Sequence, residues 1–266
     1  MKQSTKPLDR NIIRQALNLI AILAAFGINI LANVAPFNGL TIGEISNTLF
    51  RDVLITPANY AFAIWGLIYL GLISFGVYQI LPAQRQNPHL RRMGYLLVVA
   101  CLAQIAWVFF FQYRQFTLSL VAMLAILLPL IGVYLRVGIG HTRVSRNEKW
   151  FVHIPLSIYL AWISVATIVN VATTLYNLGW SGWGISAEVW TAIALIAGAA
   201  IASVVSIQRA DIAFVLVIVW AFIAIAVRQA NIPVIAITAG GLAVALVLLL
   251  LFSVLRRQKP SLNSNE

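Results

Sequence analysis

The sequence has few charged residues, only one cysteine and only three histidines. Of its 266 residues, 9% are charged and 61% are hydrophobic, and the mean hydropathy is +0.92. A soluble domain carries roughly 25% charged residues, so apolar surface on this scale cannot all be buried in a water-soluble core. The single cysteine, Cys101, excludes an intramolecular disulfide. The histidines lack the spacing of a metal site, so we expect no bound metal.

The apolar residues form eight long segments separated by charged residues. These segments fall at about 15–34, 59–81, 94–111, 117–135, 153–176, 188–206, 211–227 and 232–255. Because a membrane-spanning helix needs about 20 apolar residues, the pattern predicts an all-α integral membrane protein with about eight transmembrane helices. The seventh segment is the weakest, since Asp211 and Arg228 bracket a run slightly shorter than the usual minimum of ~17 residues.

The basic residues indicate how these helices are oriented. With eight spans, only Arg51, Arg114 and Arg228 fall on the side opposite the termini, and every other lysine and arginine falls on the side of the termini. The positive-inside rule therefore predicts that both termini are cytoplasmic. A bacterial inner membrane and a photosynthetic membrane fit this pattern equally. Because the basic residues do not form one patch, we expect no nucleic-acid partner.

Aromatic, amide and small side chains recur at helical spacing in three of the predicted helices. The candidate ligand-binding residues are Trp65 and Tyr69 in the second helix, Gln104 and Trp107 in the third, and Tyr159, Trp162, Ala166 and Asn170 in the fifth. Residues three or four apart share one face of a helix. Flat aromatic rings around a hydrogen-bonding amide suit a planar apolar ligand. A second interpretation is that these amides only join neighbouring helices, as transmembrane Asn and Gln often do. Spacing alone favours this packing interpretation over ligand binding.

No Asp, Glu, Lys, Arg or His lies in the middle of a predicted helix. Transport coupled to ions or protons usually needs a titratable group near the bilayer centre. We therefore do not expect proton-coupled transport through a charged centre. The sequence also contains no catalytic triad, so we assign no catalytic residue.

Three stretches of the sequence carry motifs in a fixed order. Residues 56–69 contain TPA and AIWGLIY, residues 103–114 contain AQIAW and FFQYR, and residues 159–170 read YLAWISVATIVN. They resemble the PPxW…GPVWTxLY, LNxxW…FFGxR and YxxWxxFAxxLN motifs of the tryptophan-rich sensory proteins. This is the TspO/MBR family, also known as translocator protein or peripheral benzodiazepine receptor. The order, spacing and helix number agree over about residues 12–180.

This resemblance implies a five-helix bundle whose pocket opens toward the first loop and binds porphyrins and other flat hydrophobic ligands. It implies that Trp65 and Trp162 handle the porphyrin, with Ala166 at the small position of the pocket and Asn170 at the polar one. Gln104 replaces the asparagine of the family motif, which shifts the contact geometry. The resemblance also implies a homodimer, since dimers are common in the family.

The resemblance divides the chain into three parts: a TspO-like core at 1–180, three additional transmembrane helices at 181–258 and a cytoplasmic tail at 259–266. We expect a receptor- or sensor-type membrane protein that binds a tetrapyrrole for sensing, transport or disposal, with membrane lipid around it and no tightly bound cofactor. Two alternatives stay open. One is a small-molecule membrane transporter, and the other is an enzyme that degrades porphyrin with the help of light.

Overall fold

The structure is a computed structural model that describes residues 10–258, with side chains up to Arg257. The predicted cytoplasmic tail at 259–266 lies outside the described residues, as do Lys2 and Lys6. The long helices are α1 (Arg10–Val34), α2 (Ile64–Ile80), α3 (Leu96–Gln112), α4 (Phe116–Val137), α5 (Ile154–Asn177), α6 (Ala187–Arg209), α7 (Ile212–Arg228) and α8 (Pro233–Gln258).

These helices confirm the prediction of an all-α membrane protein. Six of them, taken with the short helical turns that lead into α2 and α5, are long and apolar enough to cross a membrane. The other two, α3 and α7, are shorter apolar helices of 17 residues each. Most bounds agree with the predicted segments to within a few residues, and residues 10–258 contain no β-strand.

The fifth helical stretch begins earlier than its apolar segment. Helical backbone starts at Arg146, and a π-helical turn at Lys149–His153 leads into α5. The Ser145 side chain caps this start by accepting a hydrogen bond from the Glu148 amide at 3.1 Å. The predicted start at 153 is therefore too late, because the charged residues of the first turns interrupt the apolar pattern but not the helix.

Capping side chains also begin the later helices. The Ser186 hydroxyl accepts from the Val189 amide, and a carboxylate oxygen of Asp211 accepts from the Phe214 amide at 3.2 Å. Such caps satisfy backbone N–H groups that have no partner within the helix. The cap at Asp211 explains why α7 is a separate helix although only Ala210 and Asp211 lie between it and α6.

The chain divides into two compact units. The first unit contains α1, α2 from Trp65, α3, α4 and the helical lead-in to α5 up to Leu156. The second unit contains residues 43–64, the short segment Ile139–Arg143, α5 from Ser157 onward, and α6 to α8. The division of the sequence at residue 180, which the resemblance implies, stays a prediction.

In the first unit, polar side chains join α1 to α2 in a buried cluster. The Asn18 side chain donates to the Gln79 side chain at 3.2 Å, and Gln15 and Gln79 each donate to the other's backbone carbonyl. Near the same end of α1, the buried Arg14 guanidinium donates to the Leu90 carbonyl at 2.6 Å. Helix-joining amides thus occur in this protein, as the packing interpretation of transmembrane Asn and Gln expects.

In the second unit, α7 packs against both α6 and α8. Small residues on α6 allow a close approach: a Cβ atom at Gly198 would lie 3.4 Å from the Phe222 ring and 3.5 Å from Ile168. The small residue at this position therefore serves packing within the unit. At one end of α6, the Arg209 side chain donates to the Ile139 carbonyl at 2.6 Å, which fastens the short segment to the helix.

Candidate functional site

The first unit brings together three of the predicted ligand-binding residues. The Gln104 side-chain amide of α3 donates a hydrogen bond to the Tyr69 hydroxyl of α2, and this hydroxyl donates to the Ala25 carbonyl of α1 at 3.3 Å. Tyr69 and Gln104 are buried, whereas Trp65 is only partly buried. The rings of Trp65 and Tyr69 stack with centroids 5.7 Å apart and planes 27° apart. One phenol is thus held by two helices and stacked beneath a more accessible indole.

Trp107 lies one turn after Gln104 on the same face of α3. Its ring stacks on Phe111 with centroids 5.1 Å apart, and Phe111 in turn meets Phe116 edge-on at 5.4 Å. Trp107 is 8% exposed, so it belongs to a packed aromatic column at the junction of α3 and α4.

The second unit contains the other four predicted residues, all on α5. Tyr159, Trp162 and Asn170 are buried, and Ala166 between them is partly buried. The Trp162 ring meets the Phe62 ring edge-on, with centroids 5.9 Å apart and planes 88° apart. Phe62 belongs to the first loop, the segment between α1 and α2, so this loop contributes an aromatic contact to a predicted site residue.

Asn170 forms hydrogen bonds within its own helix. Its side-chain amide donates to the Thr174 hydroxyl at 3.4 Å, and its backbone carbonyl accepts from the hydroxyls of Thr173 and Thr174. This arrangement fixes the amide rotamer through α5 itself. The amide therefore holds a set position on the face that also carries Tyr159 and Trp162.

A cavity in the second unit lies on a different face of α5. It is lined by side chains of α5, α6 and α7 and by Ile55 of the first loop, and it contains about 380 Å³ of space not filled by atoms, part of it open to the outside. Its α5 residues are Ser164, Val165, Ile168 and Val169. None of the eight predicted residues lines it, and nearly all of its wall is apolar.

Gln112 at the end of α3 organises the beginning of the first loop. Its side-chain oxygen accepts from the Phe37 amide at 3.0 Å, and its side-chain nitrogen donates to the Ala32 carbonyl at 2.7 Å. The Asn38 side chain donates to the Gln112 carbonyl at 3.2 Å. Gln112 stands where the FFGxR motif has glycine, and this departure from the motif is the sequence signal that could have singled it out.

The model of the TSPO-like protein family matches residues 15–252. The chain belongs to the TSPO-like family. Since the match continues into α8, as far as residue 252, α6, α7 and most of α8 lie within the region that the TSPO-like family model covers. No curated protein sequence and no solved structure matches the chain.

Family membership confirms the resemblance drawn from the three motifs and supports a sensor- or transporter-type role in a membrane. It also agrees with a multi-pass membrane protein built from several apolar helices. In this TSPO-like chain, the ligand-binding roles of the eight residues stay predictions. Sequence reasoning missed Gln112 as the organiser of the loop. It also gave Phe62 no role in the site.

Proposed function

We propose that this TSPO-like protein binds a flat hydrophobic ligand of the porphyrin type within its helices and acts as a sensor or carrier of that ligand. The stacked Trp65–Tyr69 pair carries the proposal. Tyr69 is fixed by hydrogen bonds to α1 and α3, and Trp65 lies against it with part of its surface accessible. A planar ligand gains most from aromatic rings that are already in position, because little side-chain freedom is lost on binding.

The chemistry of the surrounding residues fits such a ligand. Stacking on Trp65 supplies apolar contact, and an aromatic pair stabilises by about 0.5–1.5 kcal/mol beyond the burial of its area. The Gln104 amide orients the Tyr69 hydroxyl and keeps a polar group near the stacked rings. In the second unit, we propose ligand-binding roles for the stripe of Tyr159, Trp162, Ala166 and Asn170, and in the first unit we propose one for Trp107.

The pattern of basic residues supports a proposal for the orientation of the protein in the membrane. We propose a multi-pass protein with both termini cytoplasmic, in a bacterial inner membrane or a photosynthetic membrane, because that orientation leaves only three basic residues on the opposite side. We also propose that membrane lipid surrounds the protein and that it forms a homodimer. Reporter fusions after Gln86 and after Arg114 test the orientation, since these loops are expected on opposite sides.

The binding proposal is tested by titrating the purified protein in detergent with protoporphyrin and following tryptophan fluorescence. We expect saturable quenching in the wild type and an apparent affinity reduced about tenfold in Trp162→Phe and Gln104→Leu. Trp183→Phe is the matched control, because this indole is 78% exposed in the turn before α6. Linear quenching that is alike in all four proteins would show partitioning into micelles and would overturn the proposal.

Two further readouts separate the alternative functions. Illumination of the complex leaves the porphyrin spectrum unchanged if the protein only binds, whereas a new absorbing species that Trp65→Phe abolishes would establish degradation. Proteoliposomes measure flux: uptake that saturates and is lost in Trp162→Phe would make the protein a carrier.

A further inference from the structure

The longer, C-terminal part of the first loop, residues 43–63, lies against α7 in the second unit. We call this segment the loop strap. Its backbone joins the helix directly, because the Ala58 amide donates to the Ala224 carbonyl at 3.1 Å. The Tyr60 ring meets the Trp220 ring edge-on, with centroids 5.2 Å apart. A loop held in this way has a defined position over its length rather than at its ends alone.

Side chains of α7 and of Gln229, the residue after it, add four hydrogen bonds to the loop strap. The Trp220 indole donates to the Ala61 carbonyl at 3.2 Å. The Arg228 guanidinium donates to the Asn47 side chain at 3.1 Å and to the Pro57 carbonyl at 3.3 Å. Just beyond α7, the Gln229 side chain donates to the Leu54 carbonyl at 2.9 Å. Trp220, Ala224 and Arg228 stand at four-residue intervals, so one face of the helix makes the contacts.

Arg228 fastens two distant points of the loop strap at once. Its two acceptors stand ten positions apart in sequence, on Asn47 and Pro57, and the Asn47 side chain also donates to the Asn59 side chain at 2.8 Å. Hydrogen bonds from a charged donor are roughly twice as strong as neutral ones. Removal of this one guanidinium therefore loosens the middle of the strap as well as its beginning.

The loop strap ends at the aromatic contact with the candidate site. Trp220 bonds the carbonyl of Ala61, and the next residue is Phe62, whose ring meets Trp162. Trp220 and Phe62 are thus joined through one peptide unit. The position of Phe62 on Trp162 depends on where α7 holds the strap.

We propose that α7 is the positioning element of the first loop, and that Arg228 and Trp220 hold Phe62 over Trp162 so that a ligand reaches Trp162 only after the strap leaves α7. This assigns a role to the C-terminal helices, in which the sequence shows no chemistry. The part that concerns the ligand rests on the proposed function; the part that concerns the strap does not.

Hydrogen exchange of the ligand-free protein in lipid nanodiscs tests the strap. In Arg228→Met, which keeps an unbranched side chain and removes the donors, we expect the amides of residues 54–61 to exchange about tenfold faster, since two charge-assisted bonds are lost. Arg228→Lys restores a charged donor and should recover most of the protection. Arg51→Met is the control, because Arg51 is an exposed arginine of the same strap. Equal exchange in Arg228→Met and wild type would overturn the proposal.

A second variant covers the case in which Arg228→Met does not fold. Trp220→Phe keeps an aromatic ring beside Tyr60 and removes the indole donor, so exchange around Ala61 should rise about threefold. Unchanged exchange in α3 and α4 serves as the check on folding in both variants. Faster exchange over the whole protein, without a difference at residues 54–61, would contradict a local role of α7.

Stopped-flow mixing with protoporphyrin tests the access of ligand to Trp162. We expect association to be severalfold faster in Arg228→Met than in wild type, because the loosened strap leaves Trp162 accessible. An unchanged association rate together with faster exchange would refute the claim that the strap controls access of ligand to Trp162. The claim that α7 positions the strap would still hold. If no variant binds protoporphyrin, the proposed function fails, and the exchange experiment alone decides the role of α7.

Discussion

Replacement of Gln104 by leucine removes one of the two hydrogen bonds that fix Tyr69. The side chains of both residues are almost fully buried, and the Gln104 amide donates to the Tyr69 hydroxyl across the α2–α3 contact. Leucine is close to glutamine in volume, so the substitution opens little space. The main loss is therefore the polar interaction between two helices.

The expected magnitude follows from interhelical hydrogen bonds in other membrane proteins. Such bonds contribute about 0.6 kcal/mol on average and up to about 1.7 kcal/mol. The Tyr69 hydroxyl keeps its bond to Ala25, so it is not left entirely without a partner. We expect a coupling energy between Gln104 and Tyr69 of about 0.5–1.5 kcal/mol.

A double-mutant cycle measures this coupling. Unfolding in mixed micelles is followed for wild type, Gln104→Leu, Tyr69→Phe and the double variant, with Gln86→Leu at an exposed loop position as a control for the change of residue type. Additive effects of the two substitutions, within about 0.2 kcal/mol, would show that the side chains do not interact. That result would refute the fixed Tyr69 on which the stacked pair depends.

Three further substitutions have effects that the structure determines. Gly140→Ala should lower the free energy of unfolding by more than ~2 kcal/mol, because φ is +79° and a Cβ atom would lie 2.6 Å from a backbone oxygen of α6. Gly39→Ala is the control in the same unfolding assay. Its φ of +80° imposes the same strain without the clash, so it should lose only about 1–2 kcal/mol. Gly198→Leu should lower stability by about 1–3 kcal/mol through overpacking against the Phe222 ring, while Gly198→Ala loses less; equal melting temperatures for the two would contradict the close packing of α6. Gln112→Leu should raise hydrogen exchange at residues 37–40 about tenfold, and unchanged exchange there would mean that Gln112 does not hold the loop.

The membrane helices were predictable because they depend on a local property of the sequence. Apolar runs bounded by charged residues predict where a helix enters and leaves the bilayer, and most bounds of α1 to α8 follow them closely. The start of the fifth helical stretch was missed since Arg146, Glu148 and Lys149 end the apolar run while the Ser145 cap begins the helix. Charge thus marks where an apolar run ends, which is not always where the helix ends.

The contacts of the candidate site were only partly predictable. Helical spacing placed Trp65 and Tyr69 on one face of a helix, and in the structure their rings stack. The Arg228–Asn47 contact joins residues 181 positions apart, and no period or motif in the sequence relates them. In the sequence, Arg228 has the pattern of an arginine at a helix end. Its partners become evident only when the first loop and α7 are placed together.

The claim that this protein holds a flat hydrophobic ligand on the Trp65–Tyr69 pair is tested most directly by the stoichiometry of porphyrin binding in nanodiscs. Absorbance titrations compare discs that contain wild-type protein, discs that contain Trp65→Ala and empty discs of the same lipid. We expect a saturable component of one porphyrin per chain in the wild type, weakened about tenfold in Trp65→Ala. Uptake equal to that of empty discs, or saturation unaffected by Trp65→Ala, would contradict the claim.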